Sequence, residues 1–383
     1  MHGWKTASLG DVCVIEKTKF KDGELPYVGM EDIVSGTGKF VGSREPKKVG
    51  SSTFQFTPNH LLYGRLRPYL NKVLLPDFEG HCSSEIFPLL PKAELDKSFL
   101  FYWITSEQVV KEINRTCTGA RMPRANVNEV LKFDIPIPPI EEQKRIVAIL
   151  DEAFAGIDTA IANTEKNLAN ARELFLSKKN HLFQVIEKTA QLKPLPTVCE
   201  EIFAGGDAPK GNYSKIETDK FKIPIYANAV KDAGLYGYTD FARALKPSIT
   251  VAARGSGTGH IELRREPFLP IVRLIVLTPN EEELTLEYLM HAIQNLDILR
   301  SGSAIPQLTV PMIKEYSIPV PTIIEQNQIV EKLEELSGKI VELEFIYQLK
   351  LNSLTELKQS LLQKAFSGEL TAEGDKLMDE AVA

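Results

Sequence analysis

Hydrophobic and polar positions along this chain follow two rhythms, and the longer one is written twice. Beyond Pro139, apolar or small residues fall at 146, 150, 153, 157, 160, 164, 168, 171 and 174. Beyond Pro321, Ile329, Leu333, Leu336, Ile340, Leu343, Tyr347, Leu351, Leu354 and Leu357 take the same phases. Such a three-four alternation over about four heptads predicts a helix with a coiled-coil seam. Glu141 and Glu142 suit the positive end of the first helix dipole. Thr322 and Glu325 have the spacing of a capping box, and Gly368 is a stop signal. The first helix is predicted from 141 to 187, about 70 Å at ~1.5 Å per residue.

Neither helix buries its own stripe. Equal length and phase predict that the two pair antiparallel within the chain, with the remaining segments at opposite ends of a rod and a pseudo-two-fold axis through it. The alternative is a homodimerising coiled coil carrying two ordinary domains.

The repeat extends beyond the seam. The run from Phe133 through Ile135, Pro136, Ile137, Pro138, Glu142, Gln143, Ile146 and Leu150 matches the run from Tyr316 through Ile318, Pro319, Val320, Pro321, Glu325, Gln326, Ile329 and Leu333, offset by 183 residues. Ser177/Ser360 and Phe183/Phe366 keep the same offset. A period near 180 is too long for a solenoid and marks a duplicated domain-plus-helix unit.

The shorter rhythm, alternation of strand type, fills the segments between the helices. Residues 25–33 read as a strand and turn, 61–75 as a strand pair with a tight middle at 64–72, and 84–91 as a proline-ended strand. Residues 98–114 read as a helix with Phe99, Tyr102 and Trp103 in the core, followed by a polar loop at 118–126. The second block repeats this order at 222–230, 249–263, 272–279, 286–296 and 301–307. The expected fold class is α/β (α+β): two similar mixed α/β domains separated by two long antiparallel helices. Domain bounds are expected at 1–140 and 188–323, with helical segments at 141–187 and 324–383 and an acidic tail.

Composition adds bounds. A hydrophobic content of 43% and charged content of 25% over 383 residues are those of a soluble globular protein. The N-terminus has no signal-peptide pattern, and the most apolar stretch, 268–277, contains Arg273 and is too short to span a membrane. Four scattered cysteines without CxxC fit a reduced cytoplasmic setting without a zinc knuckle. The net charge of −6 hides an uneven distribution. Residues 1–132 hold 18 Lys+Arg against 15 Asp+Glu, residues 189–314 hold 14 against 14, and residues 315–383 hold 6 against 13. The acid surplus sits on the second helix and tail, leaving both blocks free to present basic faces.

No catalytic constellation stands out. Gly36-Thr-Gly-Lys39 lacks the rest of a P-loop, and Gly255-Ser-Gly-Thr-Gly259 lacks a full GxGxxG with a following helix, so it reads as a tight loop between strands. What remains suits nucleic acid: Arg65, Arg67, Tyr69, Asn71 and Lys72 on one tip, and Arg121, Arg124, Asn126 and Asn128 on the adjoining loop. Arg65 and Arg67 flank Leu66 and would share one strand face. In the second block the candidates are Lys210, Asn228, Arg254, Ser256, Thr258, His260 and Gln307. Arginine can take guanine O6/N7, Asn and Gln adenine N6/N7, and Ser, Thr and Lys phosphates. For any one of them a solvated loop surface is the competing reading, and His260 fits a structural or phosphate contact better than an acid. A scaffold binding other ligands through two domains on a coiled-coil rod, or an enzyme with its site at 253–260, are the competing functions.

The paired Ile-Pro-(Ile/Val)-Pro…Glu-Gln…Ile-Val…Leu segments, the ending Leu361-Leu-Gln-Lys-Ala-Phe-Ser-Gly-Glu-Leu370 and the tip Leu62-Tyr-Gly-Arg-Leu-Arg-Pro-Tyr-Leu-Asn-Lys72 resemble the DNA-specificity subunit of type I restriction–modification systems. The resemblance covers the whole chain. It implies two target-recognition domains, each reading half of a split double-stranded DNA site, with the helices setting the gap. It also implies two adenine-methyltransferase subunits clasping the helices and restriction/translocase subunits joining them. The chain itself would carry no cofactor; S-adenosylmethionine and ATP with Mg would belong to those partners. Residues 65–72, 253–260, 119–128 and 302–307 would face DNA.

Overall fold

A computed structural model of the chain describes residues 4–119, 121–255, 257–296 and 307–372. It divides into two compact units, one of Met1–Glu165 with Gln348–Ala383 and the other Lys166–Tyr347. The two long helices, Ile140–Thr189 and Ile323–Ser367, each contribute one half to each unit.

Both units open with a feature the sequence pattern did not single out, a two-stranded antiparallel ribbon. Lys5–Ser8 pairs with Asp134–Ile137, and Gln191–Pro194 pairs with Ser317–Val320. These ribbons give the Ile-Pro-x-Pro motif its reason. Ile135 and Ile318 point inward and are fully buried. Pro136 and Pro319, which cannot donate to a ladder, sit in strands that have one neighbour only.

Behind each ribbon lies a four-stranded antiparallel sheet of identical topology. In the first unit the order is Cys13–Ile15, Ile86–Pro91, Leu61–Gly64, Val73–Leu74. In the second it is Cys199–Ala204, Ile275–Pro279, Ser248–Val251, Ile261–Arg264. The small three-stranded sheets diverge. Each keeps one parallel pair, Tyr27–Val28 with Gly80–Ser83 and Ile223–Tyr226 with Leu269–Pro270. The third strand, however, joins opposite members of that pair: Thr53–Phe56 flanks Gly80–Ser83, whereas Leu235–Thr239 flanks Ile223–Tyr226. The predicted helix over 98–114 is two helices, Lys97–Thr105 and Glu107–Arg115. Ser106, with φ −63 and ψ 144, breaks it and closes its hydroxyl onto the Trp103 carbonyl at 2.7 Å.

The helix starts are pinned by one side chain each. Gln143 is fully buried; its Oε1 accepts from the Asp96 N–H at 2.8 Å, and its Nε2 donates to the carbonyls of Glu94 and Pro138 at 2.8 and 2.9 Å. Gln326 repeats this contact for contact, with Thr285 N–H at 2.9 Å, Glu283 carbonyl at 2.7 Å and Pro321 carbonyl at 2.9 Å. Asp96 and Thr285 are themselves the N-caps of the helices Lys97–Thr105 and Leu286–Asn295. The predicted Thr322–Glu325 capping box is present, and Gly368, at φ +83, ends the second long helix.

Within each unit the two helix halves run antiparallel. In the first, Ile146 and Leu150 share a core with Leu362 and Ala365, while Asp158 pairs with Lys358. In the second, Phe183 and Ile186 share a core with Ile329, Val330 and Leu333, while Arg172 pairs with Glu344 at 2.6 Å. The seam departs from its predicted register. Leu174, Leu343 and Leu357 are 58%, 37% and 47% exposed. An α-helix turns every ~3.6 residues, so a strict heptad seam drifts off the contact line. Phe175, Glu344 and Lys358 stand closer to it.

One seam position is costly. Lys179 is buried, its only hydrogen-bond partner among the described residues being the Gln294 Oε1 at 2.9 Å, and burial pulls its pKa down from 10.5 to about 8. Both ring nitrogens of His291 and the Asn295 Oδ1 are buried there without a hydrogen-bond partner among the described residues. Burial and the Lys179 charge hold His291 below its ordinary pKa, against smaller opposing pulls from the Gln294 side chain and then Glu287. In the first unit the equivalent places hold Leu362 and Tyr102, whose hydroxyl donates to Asp151 at 2.5 Å.

Two outcomes are expected. Gln143→Ala and Gln326→Ala each strip partners from three backbone groups, so each should lower stability by about 2–4 kcal/mol in urea unfolding. For Lys179, the folded form holds the proton less tightly than the unfolded form. Its penalty is therefore complete below pH 8 and fades as pH rises towards 10.5. Lys179→Met should be more stable than wild type at neutral pH, and the advantage should shrink across that window in pH-stepped thermal melts.

Candidate nucleic-acid interface

In the first unit the tip begins where the strand Leu61–Gly64 ends. A side chain at Gly64 would collide with the Lys72 carbonyl at 2.9 Å and with Met30, so the chain passes closely here and then turns out. Arg67 takes a left-handed conformation, φ 51 and ψ 61, and leads into the 3-10 turn Pro68–Leu70. Arg65 and Arg67 therefore do not share a strand face as their spacing predicted. The ladder stops at Gly64, and the turn throws Arg67 outward.

The adjoining loop is tied onto this tip by backbone. Leu66 bridges Arg124, Arg67 N–H donates to the Pro123 carbonyl at 2.7 Å, and Ala125 N–H donates to the Arg65 carbonyl at 2.9 Å. The tip and loop named from sequence are thus one surface. Several of its candidates are engaged inwardly. Asn71 donates to the Thr105 carbonyl at 2.9 Å and Lys72 to the Met30 carbonyl at 2.5 Å. Asn126 caps the short helix Val127–Val130 in position but without a side-chain bond. Arg67, Tyr69, Arg121 and Asn128 are exposed.

Sequence reasoning missed the residue at the centre. Glu85 accepts from Arg124 at 2.7 and 2.9 Å and from Arg65 Nε at 3.1 Å. Hydrogen bonding from Arg124, then Arg65, holds its carboxyl below the usual carboxylate range. The signal was available in the repeat, since Glu85 opens the proline-ended strand and its counterpart there, 188 residues on, is Arg273.

The second unit builds the same junction from other side chains. Arg254 bridges Gln307, and Leu308 N–H donates to the Ala253 carbonyl at 2.8 Å. Asn228 works as a tie, its Oδ1 accepting from Ala253 N–H at 2.8 Å and its Nδ2 donating to the Val272 carbonyl at 2.5 Å. That tie steadies a turn in which Val272 and Arg273 both have positive φ, 53 and 61, a conformation unfavourable for a β-branched residue. Thr258 is buried and donates to the Gly255 carbonyl at 2.7 Å. His260 pairs with Glu262 at 2.8 Å. Lys210 and Arg254 are exposed. Ser256, and the loop 302–306 with Ser303, lie outside the described residues.

The family described as type I restriction modification DNA specificity domain matches the chain twice, over residues 1–170 and 189–352. A putative type I specificity subunit of Mycoplasma pneumoniae, S.MpnORF89P, is 29% identical over 275 residues, 68% of this chain and 78% of its own length. The fold matches that of a chain solved in work on assembly and conformational transition of the type I R-M system, with a TM-score of 0.83 at 21% identity over 97% of this chain and 99% of that one. It also matches the HsdS subunit from Thermoanaerobacter tengcongensis, with a TM-score of 0.65 at 22% identity over 97% and 98% of the two chains. The paired family matches fall on the two copies of the duplicated pattern, and the chain belongs to the type I restriction–modification DNA specificity family.

Proposed function

We propose that this chain reads an asymmetric bipartite DNA site, each unit taking one half-site through its tip and loop. One observation carries the reading. The same tip-to-loop junction, Leu66 with Arg124 and Arg254 with Gln307, is built in both units and carries different polar side chains. A repeated frame with unlike ends suits two unlike half-sites, and the major groove offers a distinct donor and acceptor pattern for each base pair. Arg67, Tyr69 and Arg121 are the exposed readers in the first unit, and Arg254 and Lys210 in the second. Asn71, Lys72 and Asn228 serve by shaping the tips.

The domain limits that follow are 1–140 and 188–323. The acidic surplus of residues 315–383 keeps phosphate contact with the two heads. The chain acts without a catalytic group of its own, in the cytoplasm, as the reading subunit of a complex. Two adenine-methyltransferase subunits, which would hold S-adenosylmethionine, dock on the helices, and ATP-using restriction subunits join them. The exposed Leu174 and Leu176 on the first helix, and Val341, Phe345 and Ile346 on the second, supply apolar area for that docking, being 58%, 56%, 62%, 64% and 48% exposed. No described helix is long and apolar enough to cross a membrane.

The test begins with methylated-adenine mapping in cells expressing this chain with its partner methyltransferase, which gives the bipartite site. On duplexes carrying that site, Arg67→Ala in the assembled complex should weaken binding by ~1–3 kcal/mol. The loss should be confined to substitutions in one half-site, with affinity falling steeply as salt rises. Binding insensitive to salt and sequence rejects the reading.

A further inference from the structure

The Arg65–Glu85–Arg124 cluster contains a carboxylate in the middle of a surface otherwise suited to an anionic ligand. The three side chains are 31%, 23% and 36% exposed, half out of water but within reach of a partner. Glu85 is held by backbone as well, because Arg65 N–H donates to its carbonyl at 2.9 Å. Arg65 reaches the carboxylate through Nε while its guanidinium lies 5.1 Å from the Phe87 ring centroid. Arg124 binds it through both Nε and a terminal nitrogen and gives its other terminal nitrogen to the Met122 carbonyl at 3.3 Å. Each guanidinium plane is therefore fixed by two contacts. Without the carboxylate, two like charges on facing backbone strands would repel and turn away from each other.

The duplication supplies a control. In the second unit the position of Arg65 is held by Ala253 and that of Arg124 by Gln307, and the position of Glu85 is held by the exposed Arg273. The sheet and the junction form there without any carboxylate at this turn. Glu85 is thus dispensable to the frame and present where two arginines must be kept together.

We propose that Glu85 is a positioning residue for sequence discrimination: it orients Arg65 and Arg124 towards base edges of the first unit's half-site and makes docking on other sequences unfavourable. This rests on the DNA-reading function above. Two physical effects operate together. A guanidinium oriented in advance recognises a planar pair of acceptors, as on guanine, with less ordering to be done on binding. A fixed negative charge beside the phosphates penalises every sequence, and only one that satisfies both arginines offsets the penalty.

The experiment uses the chain assembled with its methyltransferase partner, carrying Glu85→Gln, Glu85→Asp or no change. Three duplexes serve as probes: the mapped site, the site with a substituted first-unit half, and the site with a substituted second-unit half. Glu85→Gln should bind the duplex with the substituted first-unit half several-fold tighter, with a steeper salt dependence. Its discrimination in the first-unit half should fall by about tenfold or more, the scale of one good bidentate contact. Discrimination in the second-unit half should not change. Glu85→Asp should recover part of the loss. In an Arg65→Ala/Arg124→Ala background, Glu85→Gln should have no further effect on discrimination.

Unchanged discrimination in Glu85→Gln, or an equal loss in both halves, overturns the proposal, the second because it marks a general structural defect. A wild-type complex that discriminates in neither half removes the DNA-reading function itself, and the proposal with it. The two failures are told apart by the wild-type measurement alone.

Discussion

Everything in each unit is referred to a buried glutamine amide. Gln143 and Gln326 each join three backbone groups: a proline carbonyl two residues before the long helix, a carbonyl of the head, and the N–H of a helix N-cap. An amide placed out of water must find partners for both its ends, so the geometry around it has little freedom. The prolines on either side add to this, since Pro136 and Pro138, like Pro319 and Pro321, fix φ in the approach to the helix. The helix therefore leaves the head in one direction. The apolar contacts of Ile146 and Leu150, or of Ile329 and Leu333, then have a fixed line along which to pack.

On that frame the two heads vary where the frame does not constrain them. The four-stranded sheets keep one topology, whereas the third strand of each small sheet has moved to the opposite flank of a retained parallel pair. The tips vary further still. One is held by a carboxylate between two arginines, the other by an asparagine between two backbone groups. Both solutions hold a loop against a strand end by hydrogen bonds in a partly dry place, and they leave different groups facing outward.

The helices, their starts and stops and the order of strands were legible because each rests on a local rule. Helical spacing gave the seam, the Thr322–Glu325 pair gave the cap, and Gly368 gave the end. The opening ribbons were not legible, since Lys5–Ser8 and Gln191–Pro194 carry no alternation of their own and form strands only because a proline-containing partner needs one. The seam was misplaced at Leu174, Leu343 and Leu357 because leucines attract a heptad reading even where the helix has rotated past the contact. At the tips, composition singled out polar loops but could not separate exposed side chains from those tied to other groups. Arg67 and Arg124 look alike in sequence. A left-handed turn frees one, and an acid 39 residues earlier in the chain captures the other.

Lys179 belongs to a helix, while its partner Gln294 and its neighbour His291 belong to a head. A foreign second head grafted at the end of that helix would thus inherit a lysine matched to a surface it lacks. Where the incoming wall resembled that of the first unit, with Tyr102 in place of His291, the ammonium would meet a different set of groups. The second head's transferable cassette therefore has its natural border inside the helical stretch, ahead of residue 179, and recombinants cut there should keep that junction intact.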